Sequence, residues 1–421
     1  MSSRILFLFL YPLSVGVAAI EPTPISVEAL VAEIAAGHPE LRYFEAEVAA
    51  VRAEGRAATA LAAPELSVEL GRKRVRTAGG DLASEGTAWS VSLAQTFEWP
   101  GRLALRKAVA QRDVAVAEAG LARFRAELAA RARGLALGLH AAAVKAAAVR
   151  EVADRYAALK ETLLAREPGG LTPELETRAI EAQELVLQRR ATAVELELQA
   201  ALLELNQLRG LAPDAPLVVA PPAPVFGDAP ELGALLDAAR ENNFEFRARR
   251  LELERQGFAL RLARHERYPA FTVSPFYSQE GGDGRETTVG VGLSVPLPVT
   301  RTPRAGVDAA EARRIQAEAA VRAAQRELER QVTLTARTFA AKVVEIRRWA
   351  PETVAKFRES AAAADRHYRL GAVPLGTYLE LQDAYLQAVE ALLDTQAEAL
   401  AAGLRLQLLT GLNLDAVRLA S

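Results

Sequence analysis

The amino-acid sequence repeats its own pattern in its second half. Residues 38–42 (HPELR) align with residues 243–247 (NFEFR) at an offset of 205, and the same offset carries Pro64 onto Pro269. A second offset, of 201, matches three further positions: Gly170 with Gly371, Pro173 with Pro374, and Gly210 with Gly411. Short-period solenoids repeat about every 20 to 50 residues. A period this long indicates a duplicated domain half instead.

Each half follows the order helix, strand, loop, strand, very long helix, Gly/Pro turn, helix. We predict a first repeat over residues 20–210 and a second over residues 231–412, with a tail over 413–421. Residues 211–230 (LAPDAPLVVAPPAPVFGDAP) join the repeats, and their proline content favours an extended linker.

The first nineteen residues have the pattern of a secretory signal peptide. Arg4 precedes an apolar stretch from Ile5 to Val15, and the small residues 17–19 offer a cleavage site. An N-terminal membrane anchor is the alternative, but the stretch is short for about 30 Å of hydrocarbon. The sequence therefore predicts export, with residues 1–19 removed.

Four segments alternate apolar and small polar residues, as half-buried strands do. They lie within residues 65–75, 87–97, 271–278 and 289–295, and polar, glycine-rich loops at 76–86 and 279–286 connect them in pairs. Their length suits tilted transmembrane strands. Two hairpins leave open edges, which hydrocarbon does not tolerate, so in a membrane several chains must share one barrel. In water the same strands would form a small half-buried sheet, and alternation alone leaves both readings open.

Aromatic and basic residues border the first hairpin. Phe97 and Trp99 fit a membrane-interface belt, and they also fit the edge of a soluble core. Arg72, Lys73, Arg74 and Arg76 form a basic run beside the first loop. That run is either a solvated loop base or a contact with anionic lipopolysaccharide.

Very long helices follow each hairpin. No proline occurs between Pro100 and Pro168, and the span is rich in strong helix formers. Its counterpart runs from about Pro303 to Leu370, and Pro351 interrupts it. Because Arg150 takes the matching place in the first repeat, the two repeats should differ there.

In order and duplication, six motifs resemble those of the TolC-like outer-membrane efflux family. They are GHPELR, PELSVELG, SLAQTFEWPGRLALR, YPAFTVSP, VGLSVPLP and YRLGAVPLGTYLELQDAYLQAVEAL. The likeness extends from about Ser26 to Leu412, and QTFEWPGRLALR most resembles the heavy-metal-exporting branch.

The resemblance implies a mainly α fold with a small β part. Three identical chains would each give four strands to a twelve-stranded outer-membrane β-barrel, continued by a long periplasmic α-helical barrel. It further implies a passive exit duct in outer-membrane lipid. A periplasmic adaptor and a proton-driven inner-membrane transporter would be its partners.

The resemblance also implies a gate at the helix turns, where tyrosine and acidic side chains point inward. The matching positions are Tyr368 and Glu380, while Thr377 replaces a second acidic residue. A ring of Glu380 carboxylates would favour cations; alternatively, Glu380 is a solvated helix residue. The adaptor is expected to dock at the two turns, at Gly170, Thr172, Pro173, Gly371, Val373 and Pro374.

Composition and motifs offer no catalytic site. The chain has no cysteine, four histidines without metal-ligand spacing, and a net charge of −2, which gives no electrostatic basis for nucleic-acid binding. No GxxxxGK[ST], GxSxG or HExxH motif occurs. We predict no enzyme activity, cofactor or resident metal. The alternative function is a soluble periplasmic coiled-coil adaptor, although two tandem helical hairpins with four strands are unusual for one.

Overall fold

The computed structural model describes residues 24–164, 171–266, 268–297, 302–349, 352–413 and 417–420. The predicted signal peptide, Gly170 and Pro351 lie outside these ranges. The first repeat comprises α1 (Val27–Gly37), α2 (Pro39–Ala58), β1 (Glu65–Arg76), β2 (Leu82–Phe97), α3 (Arg102–Leu164) and α4 (Leu171–Arg209). After β3 (Ala223–Phe226), the second repeat comprises α5 (Leu232–Asn242), α6 (Phe244–His265), β4 (Phe271–Glu280), β5 (Glu286–Ser294), α7 (Thr302–Arg348), α8 (Thr353–Arg369) and α9 (Leu375–Thr410), followed by β6 (Val417–Ala420).

The predicted internal duplication is confirmed in backbone detail. His38 separates α1 from α2 with φ −66° and ψ 123°, and Asn243 separates α5 from α6 with φ −60° and ψ 123°. Gly210 and Gly411 end the matching helices α4 and α9 with φ of 70° and 64°. Only glycine adopts this left-handed conformation at little cost. The sequence offsets therefore reflect equivalent structural positions, while the exact repeat boundaries stay a prediction.

The long helices differ between the repeats as Pro351 predicted. Helix α3 runs for 63 residues, about 95 Å, straight through Arg150. In the second repeat, α7 ends at Arg348 and α8 begins at Thr353. Between Arg102 and Glu161, α3 is long and apolar enough to pass for a membrane span, but half of its most apolar window is buried inside the chain. It therefore resembles a packed core helix.

The four predicted strands form one antiparallel sheet in the order β1-β2-β4-β5. Each repeat contributes one hairpin, and the pairing of β2 with β4 joins the repeats, for example at Phe97 and Phe271. Strands β1 and β5 are the two edges of this sheet within the chain.

Two short strands were not predicted. Strand β3, in the proline-rich linker, pairs antiparallel with β6 from the region predicted to be a tail. Ile25 also forms a parallel bridge with Val219. Pro224 lies in β3, and proline is tolerated in a two-stranded edge position because one side of each strand needs no donor. The expectation of four strands in the chain was therefore too low, although the four-stranded sheet itself is confirmed.

The buried core is divided along the helices. One cluster joins α1, α2, α3 and α4, and another joins α3, α5, α6, α7 and α9. A third cluster joins α3, α4, α8 and α9, and includes Tyr156, Tyr378 and Tyr385. This last cluster supports the helix turn at which the gate was predicted.

Candidate functional site

One face of the sheet is apolar and exposed. Leu70 is 85% exposed and Val289 is 75% exposed. In register, Leu66 faces Leu93, Val68 faces Val91, and Tyr277 faces Val289, so the large side chains share one face. Soluble monomers rarely expose a contiguous apolar patch larger than a few hundred Å². The face is therefore suited to lipid or to another protein surface.

The opposite face is small and polar. Its side chains along the middle of the strands include Ser67, Ser90, Ser92, Ser274 and Ser278, which alternate with the apolar residues. Phe276 is an exception, and its ring lies over Gly290: a Cβ at Gly290 would be 2.7 Å from the ring. The glycine thus makes room for one aromatic ring on an otherwise narrow polar surface.

Two aromatic pairs mark the helix-proximal end of the apolar band. Phe97 stacks on Phe271 with ring centroids 5.7 Å apart, and Trp99 stacks on Tyr268 at 5.6 Å. Phe97 and Trp99 are 39% and 44% exposed, at the end of the sheet that leads into the helices. The sequence predicted these two residues but not their partners from the second repeat. Aligning the segment around Pro64 with that around Pro269 could have drawn attention to Tyr268 and Phe271.

A third aromatic pair lies toward the hairpin loops. The rings of Trp89 and Tyr277 are 5.3 Å apart, and the indole N–H of Trp89 donates to Gln279 Oε1 at 3.2 Å. Trp89 and Phe97 are eight residues apart on β2, which is about 26 Å at 3.3 Å per residue. The apolar band of outer-membrane barrels is about 25 Å tall and flanked by aromatic girdles. At a strand tilt of about 35–45°, 26 Å along β2 corresponds to roughly 20 Å along the membrane normal, so the Trp89–Tyr277 and Phe97–Phe271 pairs would lie just inside the two borders of such a band.

The turn between α8 and α9 carries the predicted gate residues. Gly371 has φ 73°, its N–H donates to Tyr368 O at 2.8 Å, and the N–H of Ala372 donates to His367 O at 2.8 Å. These bonds cap α8, and α9 then begins after Pro374. Of the predicted docking residues here, Gly371 and Pro374 are exposed and Val373 is half-buried.

Tyr368 is tied to the first repeat. Its hydroxyl donates to Glu176 Oε2 at 3.1 Å, which links α8 to the first turns of α4. Its ring stacks on that of Tyr378 at 5.4 Å. Thr377 and Glu380 are exposed, and in the described part of the chain no hydrogen bond or ion pair joins Glu380 to another residue. The structure thus brings Tyr368 together with Glu176 and Tyr378.

Tyr378 anchors this turn. It is fully buried, and the ring of Tyr156 lies 5.8 Å away. Burial raises the pKa of the Tyr378 phenol well above its ordinary value and raises the pKa of Tyr156 to about 12. The rings of Tyr156, Tyr378 and Tyr368 therefore form one contiguous aromatic cluster at the turn.

The first repeat's turn lies partly outside the described residues. Gly170 is not described, and Thr172 and Pro173 fall in the first turn of α4, which begins at Leu171. Proline fits this position because the first helical N–H groups have no intrahelical acceptor.

A polar cluster that the sequence did not reveal lies farther along the same helices. Glu151 on α3 accepts hydrogen bonds from Arg155 at 2.6 Å, from Arg358 at 3.1 Å and from the Tyr385 hydroxyl at 3.3 Å. Gln382 is fully buried; it accepts from Arg155 at 2.8 Å and donates to Ala361 O at 2.7 Å. The cluster fixes α8 and α9 against α3.

Helix α4 leaves an apolar stripe uncovered. Its exposed large hydrophobic residues are Leu175, Leu185, Val186, Leu196 and Leu203. At about 100° per residue, these side chains fall within roughly 100° of the helix circumference, the width of an ordinary packing face. The stripe is suited to packing against another helix.

The described residues contain no group of three or more histidine, aspartate or glutamate side chains placed to hold a metal ion. The candidate functional features of the described residues are therefore surfaces: an apolar sheet face, a polar sheet face, a capped helix turn and an uncovered helix stripe.

Comparison with known proteins gives a family match for the second repeat and a fold for the whole chain. Residues 235–412 match the family described as "Outer membrane efflux protein". A comparison with curated proteins gives no significant match. Among solved structures, the chain is similar to the outer membrane protein VceC of Vibrio cholerae, with 18% identity, a TM-score of 0.70, and coverage of 91% of this chain and 96% of VceC.

Two further structures are similar over nearly their whole length. The MtrE outer membrane channel of Neisseria gonorrhoeae, in its open state, has 13% identity and a TM-score of 0.74, with coverage of 91% of this chain and 88% of MtrE. CusC has 16% identity and a TM-score of 0.72, with coverage of 92% of both chains. Identities this low show the fold and not the substrate. The second repeat therefore matches the family of outer membrane efflux proteins, and the whole chain has the fold of these solved outer-membrane channels.

Proposed function

We propose that three copies of this chain form the passive exit duct of a tripartite efflux system. One observation carries the proposal: a four-stranded sheet with two open edges and one exposed apolar face. In hydrocarbon, the unpaired N–H and C=O groups of β1 and β5 each cost several kcal/mol. Pairing the β5 edge of one copy with the β1 edge of the next removes both edges, and three copies give twelve strands.

The helices supply a second contact between copies. The α4 stripe would meet a helix of the neighbouring copy, since the chain's own helices leave it exposed. The alternative function, a soluble periplasmic adaptor, would require Leu70 and Val289 to remain in water on one continuous apolar face. The structure gives that alternative no support.

The test is assembly and conductance of the same preparation. Protein extracted from outer membranes with detergent should be trimeric and should form channels in planar bilayers. Since the chain has no cysteine, single cysteines introduced on β1 and β5 would report the seam by disulfide formation between copies. A monomer, or a protein that dissolves freely without detergent, would contradict the proposal.

We propose that the turn between α8 and α9 is the periplasmic gate. The Tyr368–Glu176 hydrogen bond holds α8 against α4, so opening must break it or move both helices together. Glu380, exposed and unpaired within the described part, is free to form a cation-attracting ring with its copies. Thr377 adds no charge, so this ring has a single acidic position per chain.

A gate variant tests this assignment. Glu380→Ala should lower the cation preference of single channels, and Thr377→Ala serves as the neighbouring control without a charge change. Unchanged selectivity in Glu380→Ala would remove Glu380 from the gate.

The remaining proposals concern cargo and partners. The adaptor would dock its helical hairpin tips at the turns around Pro173 and Pro374, and a proton-driven inner-membrane transporter would supply the energy. Heavy-metal cations are the proposed cargo, on the basis of the QTFEWPGRLALR motif and a cation-attracting gate. Identifying the transporter and adaptor that co-purify with the chain tests both points; a partner pump that exports only organic anions would exclude metal cargo.

A further inference from the structure

The strongest unassigned feature is an ion-pair bridge across the sheet. Lys73 Nζ on β1 lies 2.8 Å from a carboxylate oxygen of Glu280 on β4 and 2.8 Å from one of Glu286 on β5. In the order β1-β2-β4-β5, strands β1 and β5 are the opposite edges. One side chain thus joins the two edges of the same sheet.

This contact shows which way the sheet bends. Three strand spacings separate β1 from β5, about 14 Å in a flat sheet, so the sheet must curve toward the face that carries the three side chains. Gly86 on β2 pairs with Lys73, and because it is glycine it places no side chain between Lys73 and the two carboxylates. A Cβ at Gly86 would lie 1.9 Å from Gly281 O, so this position requires glycine. The polar face is therefore the concave face, which becomes the lumen when the barrel closes.

Alternation separates Lys73 from its basic neighbours. Arg72 and Arg74 point to the opposite, apolar face, where both lie 3.3 Å from Glu85. On the polar face, Glu280 and Glu286 lie beside Lys73 near the hairpin loops, whereas Glu69 lies four residues farther from the loop, near the middle of β1. Before the irregularity at Val75/Arg76, Lys73 is the only cation that the four strands place on that face.

We propose that Lys73 sets the ion selectivity of the external mouth of the channel. This inference rests on the proposed function. Lys73 neutralises one of the two carboxylates that it contacts, Glu280 and Glu286, which leaves one net negative charge per chain at this level of the lumen. Without Lys73, each chain would present two. A mouth without Lys73 would be a second cation filter, at the opposite end of the duct from Glu380.

The test measures reversal potential in a KCl gradient across a planar bilayer. Lys73→Gln should raise the K⁺ over Cl⁻ permeability ratio about twofold at 0.1 M salt and by a larger factor at lower salt, because three additional negative charges lie within roughly a Debye length of the pore axis. Arg74→Gln is the matched control: it removes the same charge from the adjacent residue on the lipid side, so the ratio should stay at the wild-type value.

The reverse change completes the test. Glu280→Gln combined with Glu286→Gln leaves Lys73 uncompensated and should lower the K⁺ over Cl⁻ ratio. Equal shifts in Lys73→Gln and Arg74→Gln, or a higher conductance in Lys73→Gln without a change in selectivity, would overturn the inference. A wild-type protein that forms no channel would overturn the proposed function itself, whereas a wild-type channel with unchanged selectivity in Lys73→Gln overturns only the role of Lys73.

Discussion

The assignment of the two sheet faces can be tested with one pair of adjacent substitutions. Val68 lies in the middle of the apolar band on β1 and faces Val91 across the β1–β2 pair. Ser67 is its neighbour on the polar face and faces Ser92. Replacing either residue with arginine introduces the same side chain into the same strand. The two variants therefore differ in the sheet face that receives the charge.

The expected difference is large. An arginine on the lipid face of an outer-membrane barrel costs about 2–4 kcal/mol near the midplane, and a lumen substitution costs little. A cost of 2–4 kcal/mol lowers the folding equilibrium of each chain by about 30- to 900-fold. All three copies carry the change, so Val68→Arg should strongly deplete assembled channels, while Ser67→Arg should leave them near wild-type abundance.

Two measurements decide the outcome. Unheated samples in denaturing gels report the fraction of folded trimer in the outer membrane, and urea titration in lipid vesicles reports the free energy of unfolding. Equal stability of the two variants, or a wild-type level of trimer in Val68→Arg, would refute the conclusion that the apolar face contacts lipid.

Three other predictions follow from the helices. Tyr368→Phe removes the hydroxyl that donates to Glu176 and should raise the open probability in single-channel recordings, as Glu176→Gln should to a lesser degree; closed channels in both would show that the bond does not hold the gate. Leu196→Asp should weaken trimers by placing a charge in the α4 stripe, while Gln199→Asp should not, as measured by sedimentation in detergent. Burial raises the pKa of Tyr156 to about 12, so its contribution to stability is complete below the ordinary tyrosine pKa of about 10 and is lost as pH rises toward 12. Tyr156→Phe should therefore reduce the loss of stability at alkaline pH, as measured by thermal unfolding at a series of pH values. An unchanged pH profile would contradict this.

Local sequence rules explain most of the fold. The proline-free span after Pro100 fixes the continuity of α3, and alternation fixes the four strands of the sheet. The left-handed glycines at Gly210 and Gly411 mark equivalent helix ends. These features were predictable because each depends on residues that are close in sequence.

The contacts of the candidate site were less predictable because they join distant segments. Glu176 and Tyr368 are separated by 192 positions, and nothing in the TPELETR segment indicates a partner. Gln382 lies in the sequence YLELQDAY, where a polar residue suggests a solvated helix face. Its burial results from the packing of α3, α8 and α9 together. Strand β3 was missed because the proline content of its segment outweighed a run of only four paired residues.

The junction between β2 and β4 has a consequence for biogenesis. Ala88 pairs with Glu280, so the central ladder of the sheet closes a loop of nearly half the chain. Contacts of such high sequence separation form slowly, because the entropy cost of loop closure precedes the stabilisation that strand pairing provides. A newly exported chain therefore presents its first hairpin, apolar on one side, long before β4 can reach it. During this delay the first hairpin exposes both its apolar face and the edge of β2 that later pairs with β4.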